Sequence, residues 1–192
     1  MKSEASSRKP LAPAVFLDRD GVLNHDSSYV FRIADLKVLD GVTDALVMLQ
    51  KAGFRLIVIS NQSGVARGKF TTDDVERFNA ALSGRLSFEG RELISAFYYC
   101  PYLPDAEVAA YRKDSPDRKP GTGMIEKACA DHGIDRKGSW LVGDRASDVD
   151  CAIAAGMRSV QVTGDTSYPR HAGADACFEN LLEAAKFICK AK

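Results

Sequence analysis

Two aspartates stand two residues apart at the close of an apolar run, in Ala14-Val15-Phe16-Leu17-Asp18-Arg19-Asp20-Gly21-Val22. Alternate side chains of a strand share a face, so Asp18 and Asp20 project the same way, and Gly21 lets the backbone turn just beyond them. Such a pair can divide labour. One carboxylate attacks an electrophile, the other moves a proton, and both offer hard oxygen ligands to a cation such as Mg2+. The same residues also describe a strand followed by an Asx turn, because Asp and Gly favour turns whatever their chemistry. Three further polar groups bear on the choice: Ser60-Asn61-Gln62-Ser63-Gly64, Arg118-Lys119-Pro120, and Gly143-Asp144 with Asp148 four residues on. Each alone has a plain explanation, as a strand-to-loop cap, a solvated loop, a helix cap and a first-turn acid complementing the helix dipole.

The elements that must position these groups follow from periodicity. Short apolar runs alternate with helix-period segments, which predicts an α/β fold: a Rossmann-like open parallel sheet with helices on both faces. Strands are expected at 14–17, 55–59, 96–100, 140–142 and 159–162. Helices are expected at 42–51, burying Ala45, Leu46 and Leu49, and after Thr71 and Thr72, burying Val75, Phe78 and Leu82. Further helices are expected from Pro120, with Met124, Ile125 and Ala128 inward, over 148–155, and over 181–190. Residues 101–118 have three prolines and no periodicity and read as a long loop. Open parallel sheets bind ligands outside the carboxyl ends of their strands, where strand order reverses, and the polar groups fall at such ends. No large insertion follows the first or third strand, so no large cap domain is expected. The site is then roofed only by loops near 27–33, 67–70 and 101–118. Residues 1–13, polar and basic with prolines, read as a flexible N-terminal tail, and 14–192 as a single domain.

Composition narrows the partners. A chain of 192 residues, 45% apolar, can build one sizeable core. With 26 basic and 26 acidic residues the formal net charge is zero, which argues against nucleic acid and membrane surfaces and makes any anion recognition local. The five cysteines are odd in number and include no C-x-x-C pair, so they read as reduced thiols in a cytoplasmic protein. No stretch reaches the apolar length needed to cross a bilayer. A monomer or small homo-oligomer is expected.

In chain order, Asp18-x-Asp20-Gly21, Ser60-Asn61, Arg118-Lys119-Pro120 and Gly143-Asp144-x-x-x-Asp148 together resemble the haloacid dehalogenase (HAD) superfamily of phosphohydrolases, over residues 14–164. Phe16 to Gly21, Asn61-Gln62-Ser63-Gly64-Val65-Ala66-Arg67-Gly68 and Tyr98-Tyr99-Cys100-Pro101 look like the branch that holds D-glycero-D-manno-heptose 1,7-bisphosphate 7-phosphatase and histidinol phosphatase. The resemblance implies a Mg2+-dependent phosphomonoester hydrolase acting through an aspartyl phosphate on a small phosphorylated sugar. The heptose bisphosphate, in a route to lipopolysaccharide precursors, ranks first as substrate and histidinol phosphate second. A phosphate monoester is anionic and resists an anionic nucleophile, so the reaction needs a cation, further positive groups and fixed in-line geometry. Asp18 is then the nucleophile, and Asp20 is the acid for the leaving oxygen and the base for the incoming water. Mg2+ would be held by Asp18, the backbone carbonyl of Asp20 and Asp144. Ser60 and Lys119 hold the transferring group, Asn61, Gln62 and Ser63 bind substrate, and Arg67 and Arg118 anchor a second phosphate. Asp148 orients a metal-bound water or Lys119.

One family device is missing. Members of this branch commonly bind zinc through a Cys-x-His pair and a Cys-x-Cys pair before Arg-Lys-Pro, where this chain has Cys100-x-Tyr102 and Ser115-x-Asp117. One thiolate remains of the four ligands such sites need, so no Zn2+ is expected. The loop must then be ordered by packing of Tyr98, Tyr102, Leu103 and Tyr111, or not at all. A phosphoacceptor signalling domain also joins Asp, Ser and Lys on a parallel sheet, but it lacks an acid two residues past the acceptor, so Asp20 separates the two ideas. A non-catalytic phosphosugar-binding relative is disfavoured because every catalytic position is filled.

Overall fold

The alternation within β1 (Ala14–Leu17) sets the layers. Val15 and Leu17 join one apolar cluster, Ala14 and Phe16 the other, and all four are fully buried. A strand buried on both faces belongs in the middle of a parallel sheet. A computed structural model describes residues 11–192, and in it β1 lies between β2 (Arg55–Asn61) and β6 (Trp140–Gly143). The hairpin strands β3 (Ser87–Phe88) and β4 (Arg91–Glu92) stand apart from the main sheet. The sheet is completed by β5 (Ala96–Cys100) beside β2, and by β7 (Arg158–Val162) and β8 (Ala176–Phe178) beyond β6. Its order is β5-β2-β1-β6-β7-β8 and every pairing is parallel. Strand order reverses at β1, so the crevice opens beside Asp18.

Helices cover both faces, as the fold class requires. On the side of Val15 and Leu17 lie α1 (Val42–Lys51), α3 (Thr72–Arg85) and α6 (Leu181–Lys190), through Leu46, Phe78, Leu82 and Ile188. On the side of Phe16 lie α4 (Gly123–His132) and α5 (Ala146–Ala154), through Met124, Ile125 and Cys151. A one-turn helix, α2 (Ser63–Ala66), directly follows β2. Thr71 and Asp74 form a reciprocal capping box at the start of α3, and Asn180 caps α6.

The expected strands and helices are all present, those at 14–17, 96–100, 42–51 and 181–190 with the expected bounds and the others with shifted ends. The second strand runs two residues past 59, because Ser60 and Asn61 continue the ladder against Tyr99 and Cys100. The helix expected from Pro120 begins at Gly123, since the amides of Gly121 and Gly123 are taken by the carbonyls of Arg118 and Pro116 in the preceding turn. The fourth helix begins at Ala146, two residues before the expected start at 148. The reading did not anticipate α2, the β3–β4 hairpin or β8, each too short to carry a periodicity. Of the expected tail, 1–10 lie outside the described residues. Ala12 pairs with Ile134, its amide donating to the Gly133 carbonyl at 3.1 Å.

The loop 101–118 contains one 3-10 turn, Ala109–Tyr111. Leu103 and Ala106 are buried beneath it, the Tyr102 and Tyr111 rings lie 6.0 Å apart, and the Leu103 amide donates to the Tyr111 carbonyl. Tyr98 serves the other face, its hydroxyl donating to Asp131 of α4 at 2.6 Å. Among the described residues no helix is long and apolar enough to cross a membrane.

Candidate active site

Asp18 follows β1 directly, with its amide donating to the Val142 carbonyl at 2.9 Å, so the main chain of the sheet fixes where its carboxylate emerges. Asp144 directly follows β6, and its carbonyl accepts from Gln161 Nε2 at 2.9 Å. Gly21 makes the approach of the two possible: its φ is +78°, and a Cβ there would lie 2.5 Å from Asp144 Oδ2. Gly143 likewise leaves room for Asp148, whose Cβ would sit 2.2 Å from one on residue 143. Lys119 arrives from the loop between β5 and α4. Asn61 braces it there: its Nδ2–H donates to the Lys119 carbonyl and its Oδ1 accepts from the Lys119 amide, both at 3.0 Å.

The buried charges meet at the Lys119 ammonium. It lies 2.9 Å from Asp18 Oδ1 and 2.6 Å from Asp148 Oδ1, and donates to the Ile59 carbonyl at 2.9 Å. Those three partners use all three of its donors. Burial pushes this ammonium pKa down, but Asp148 and Asp18 together outweigh it and hold it above the ordinary lysine value. Burial pushes the Asp18 carboxyl up to about 6, with Lys119 restraining the rise and Asp148 and Asp20 adding to it. Asp144 is fully buried, and its carboxyl is pushed to about 8 by burial and then by Asp18 and Asp148.

Neither oxygen of Asp144 has a hydrogen-bond partner, an arrangement rare in a folded interior. Carboxylate oxygens of Asp18, Asp144 and Asp148 lie within 4.8 Å of one another. An all-oxygen acidic cluster whose Asp144 carboxylate is unpartnered fits a hard divalent cation. Asp148 has further ties: besides Lys119, it accepts from the Arg145 amide at 3.0 Å and so caps α5.

The groups open onto a cavity of about 340 Å3. Asp18, Asp20, Ser60, Asn61, Gln62, Ser63, Arg118 and Lys119 all border it. Asp144 and Asp148 lie behind its wall, and Arg67 is not among the lining residues. Ser60 Oγ accepts from Gln62 Nε2 at 2.7 Å.

The loops expected to roof the site at 27–33 and 67–70 do reach the cavity, through Ser28, Tyr29 and Phe70, whereas sequence reasoning missed Asp26, Arg145 and Tyr168, which also line it. The Arg145 guanidinium stacks 4.5 Å over the Tyr168 ring and donates to Asp26 Oδ2 at 2.9 Å. Ser28 and Tyr29 both adopt left-handed backbone, with φ of 63° and 58°. A signal existed for two of these residues: Arg145 and Tyr168 lie in the segments after β6 and β7, strand ends to which the crevice rule applies as well as to Asp18.

An open parallel sheet with two aspartates closing its central strand, a serine closing the next, a buried lysine and a second acidic pair beyond is the arrangement of the HAD-like phosphohydrolases. The HAD-hydrolase-like family model matches residues 117–184. A D-glycero-D-manno-heptose-1,7-bisphosphate 7-phosphatase of Thermosynechococcus vestitus is 39% identical over 92% of this chain and 95% of its own. The D-glycero-beta-D-manno-heptose-1,7-bisphosphate 7-phosphatase of Escherichia coli K12 is 41% identical over 93% of this chain and 94% of its own. Among solved structures, a D,D-heptose 1,7-bisphosphate phosphatase from B. bronchiseptica, complexed with magnesium and phosphate, superposes with a TM-score of 0.76 at 28% identity, covering 94% of this chain and 99% of its own. A HAD-like protein from Mesorhizobium loti gives a TM-score of 0.82 at 27% identity, covering 95% of this chain and 88% of its own. The chain belongs to the HAD-like hydrolase family, in the group of these phosphatases, and is a phosphoric monoester hydrolase.

Proposed function

We propose that this enzyme removes the 7-phosphate of D-glycero-D-manno-heptose 1,7-bisphosphate. The observation that supports this substrate most is a single cavity offering Asp18 and Lys119 at its floor and two further cations, Arg118 and Arg145, on its walls. A bisphosphorylated sugar presents one phosphate to the floor and needs a partner for the other, and guanidinium groups bind phosphate bidentately. The heptose phosphatase relatives, about 40% identical, support the same reading.

Asp18 attacks phosphorus and forms an acyl phosphate. Asp20 donates a proton to the departing sugar oxygen, then takes one from the water that cleaves the intermediate, returning both residues to their starting state. Ser60, Ser63 and the Lys119 ammonium face the charge spread over the transferring group, where preorganised donors each contribute about 10^2 to 10^3-fold. Asn61 serves this chemistry through the Lys119 backbone. Asp148 holds the ammonium from behind. Mg2+, bound by Asp18, Asp144 and the Asp20 carbonyl, would lower the electrostatic barrier to bringing a carboxylate up to a phosphate dianion. We assign no Zn2+ to the 101–118 loop and place the enzyme in the cytoplasm, a setting that its five unpaired cysteines support.

The test is a phosphate-release panel of heptose bisphosphate, hexose phosphates and histidinol phosphate with Mg2+, with the product read by 31P NMR. The highest kcat/KM should fall on the heptose bisphosphate, leaving the 1-phosphate. Preference for histidinol phosphate, or release of the anomeric phosphate, would contradict the assignment.

A further inference from the structure

The middle residue of the Asp-x-Asp pair is an arginine that the sequence reading left without a role. Strand alternation directs Arg19 away from Asp18 and towards α3, and it is 1% exposed there. Its guanidinium lies 4.4 Å over the Phe78 ring, and Nη1 donates to Asn79 Oδ1 at 3.2 Å. Nη2 also lies 3.1 Å from the Val30 carbonyl and 3.3 Å from Gln62 Oε1, so its two hydrogens are shared among these oxygens and Asp20. The remaining contacts return to the pocket: Nε donates to Asp20 Oδ1 at 3.1 Å and Nη2 to Asp20 Oδ2 at 2.9 Å. Asp20 accepts two more bonds, from Asn24 Nδ2 at 2.9 Å and Gln62 Nε2 at 3.1 Å. Four donors occupy all the lone-pair directions of a carboxylate. One of them must withdraw before either oxygen can exchange a proton with a leaving group. Gln62 is the donor placed to do so, since its Nε2 is shared between Asp20 and Ser60 Oγ and it borders the cavity where a phosphoryl group would sit.

We propose that Arg19 is a positioning residue, a fixed jaw holding the Asp20 carboxylate at the pocket wall, and that Gln62 is a second jaw released by the incoming phosphoryl group. The proposal rests on the assignment of Asp20 as the proton-transfer group. Phosphate binding at Ser60 draws the Gln62 amide onto a phosphoryl oxygen, which frees one lone pair of Asp20 towards the leaving group. Arg19 keeps its two bonds throughout, because α3 and Val30 hold it.

The test compares two esters on the full chain with Mg2+. An alkyl sugar phosphate has a leaving oxygen that needs a proton, whereas 4-nitrophenyl phosphate leaves without one. In Arg19→Lys, which keeps a buried cation but loses the fork, kcat on the sugar phosphate should fall about 10^2-fold with KM within about three-fold, while the nitrophenolate burst stays within about three-fold of wild type. Equal losses on both esters would reduce Arg19 to a structural role and overturn the proposal, as would wild-type rates on both. A crystal structure of the unmodified enzyme with Mg2+ and orthophosphate is independent of any variant. It should show Gln62 Nε2 on a phosphate oxygen and more than about 3.5 Å from Asp20, with Arg19 still bidentate. Gln62 remaining on Asp20 would overturn the release step. Failure of the heptose assignment would show as a different preferred ester in the wild type, and the contrast between alkyl and aryl esters would still be read.

Discussion

The floor of the pocket and its rim are built by opposite means. At the floor, Asp18, Lys119, Asp144 and Asp148 are buried, and each is tied to a strand end or a helix start. At the rim, Arg145, Tyr29 and Tyr168 remain 38 to 48% exposed, and Arg145 is held by the Tyr168 ring and by Asp26. The floor therefore has rigid, strongly coupled charges that act on the reacting atoms, while the rim can change without disturbing the core. This division suits an enzyme whose chemistry is fixed and whose leaving group varies, and it predicts that floor substitutions act on kcat and rim substitutions on KM.

Breaking the floor should have the largest effects. Asp18→Asn should lower kcat by about 10^4-fold or more with the fold intact, since it removes the proposed nucleophile. Chelation of Mg2+ should reduce phosphate release to the same background, and restored Mg2+ should recover it. Asp20→Asn should cost about 10^2 to 10^4-fold, the range of general acid–base catalysis. At the rim, Arg145→Ala should raise KM for a sugar bisphosphate about 10-fold, with little change in kcat and less effect on a monophosphate, as expected for one charge-assisted contact. If Arg145→Ala acted on kcat alone, the division between floor and rim would be wrong.

A smaller effect concerns stability. Asp18 and Asp144 have folded-state pKa values raised to about 6 and about 8, above the ordinary carboxylate value. Groups raised in this way favour the fold while protonated, and that contribution is lost as pH climbs through the raised values. The metal-free protein should therefore lose thermal stability between about pH 4 and pH 8, at roughly 2–4 °C per kcal/mol for a chain of this size. Lys119, raised above its ordinary value, keeps its proton across that window and contributes no slope. Mg2+ competes with protons for the same oxygens, so the rise in Tm that it confers should grow with pH. A metal-free Tm that stayed level or increased over this range would contradict the burial of these two acids.

The same contrast separates what could be read in the sequence from what could not. The strands before Asp18, Ser60 and Asp144 show as apolar runs because both faces of a central parallel strand are buried, and their ends fix the acids in register. Lys119 was legible through its Arg-Lys-Pro setting, but its three-way contact with Asp18, Asp148 and the Ile59 carbonyl was not, since those partners lie 29 to 101 positions away. Asn61 was expected to meet substrate, and the structure turns both ends of its amide onto the Lys119 backbone. Arg67 was paired with Arg118 as a phosphate anchor, yet α2 carries it off the cavity wall and Arg145 stands with Arg118 instead. Rim residues such as Asp26 and Tyr168 depend on where long loops land, and no local spacing records that, although the roofing loop that carries Tyr29 was expected.

The central claim is that Asp18 is esterified to phosphorus during turnover. The most direct measurement is to quench the enzyme during hydrolysis of a sugar phosphate with Mg2+, reduce any acyl phosphate with borohydride, and locate the modified position by fragmentation mass spectrometry. The modification should fall on Asp18 and disappear when Mg2+ is withheld. Modification at another carboxylate, or none while the wild-type enzyme is turning over with Mg2+, would contradict it.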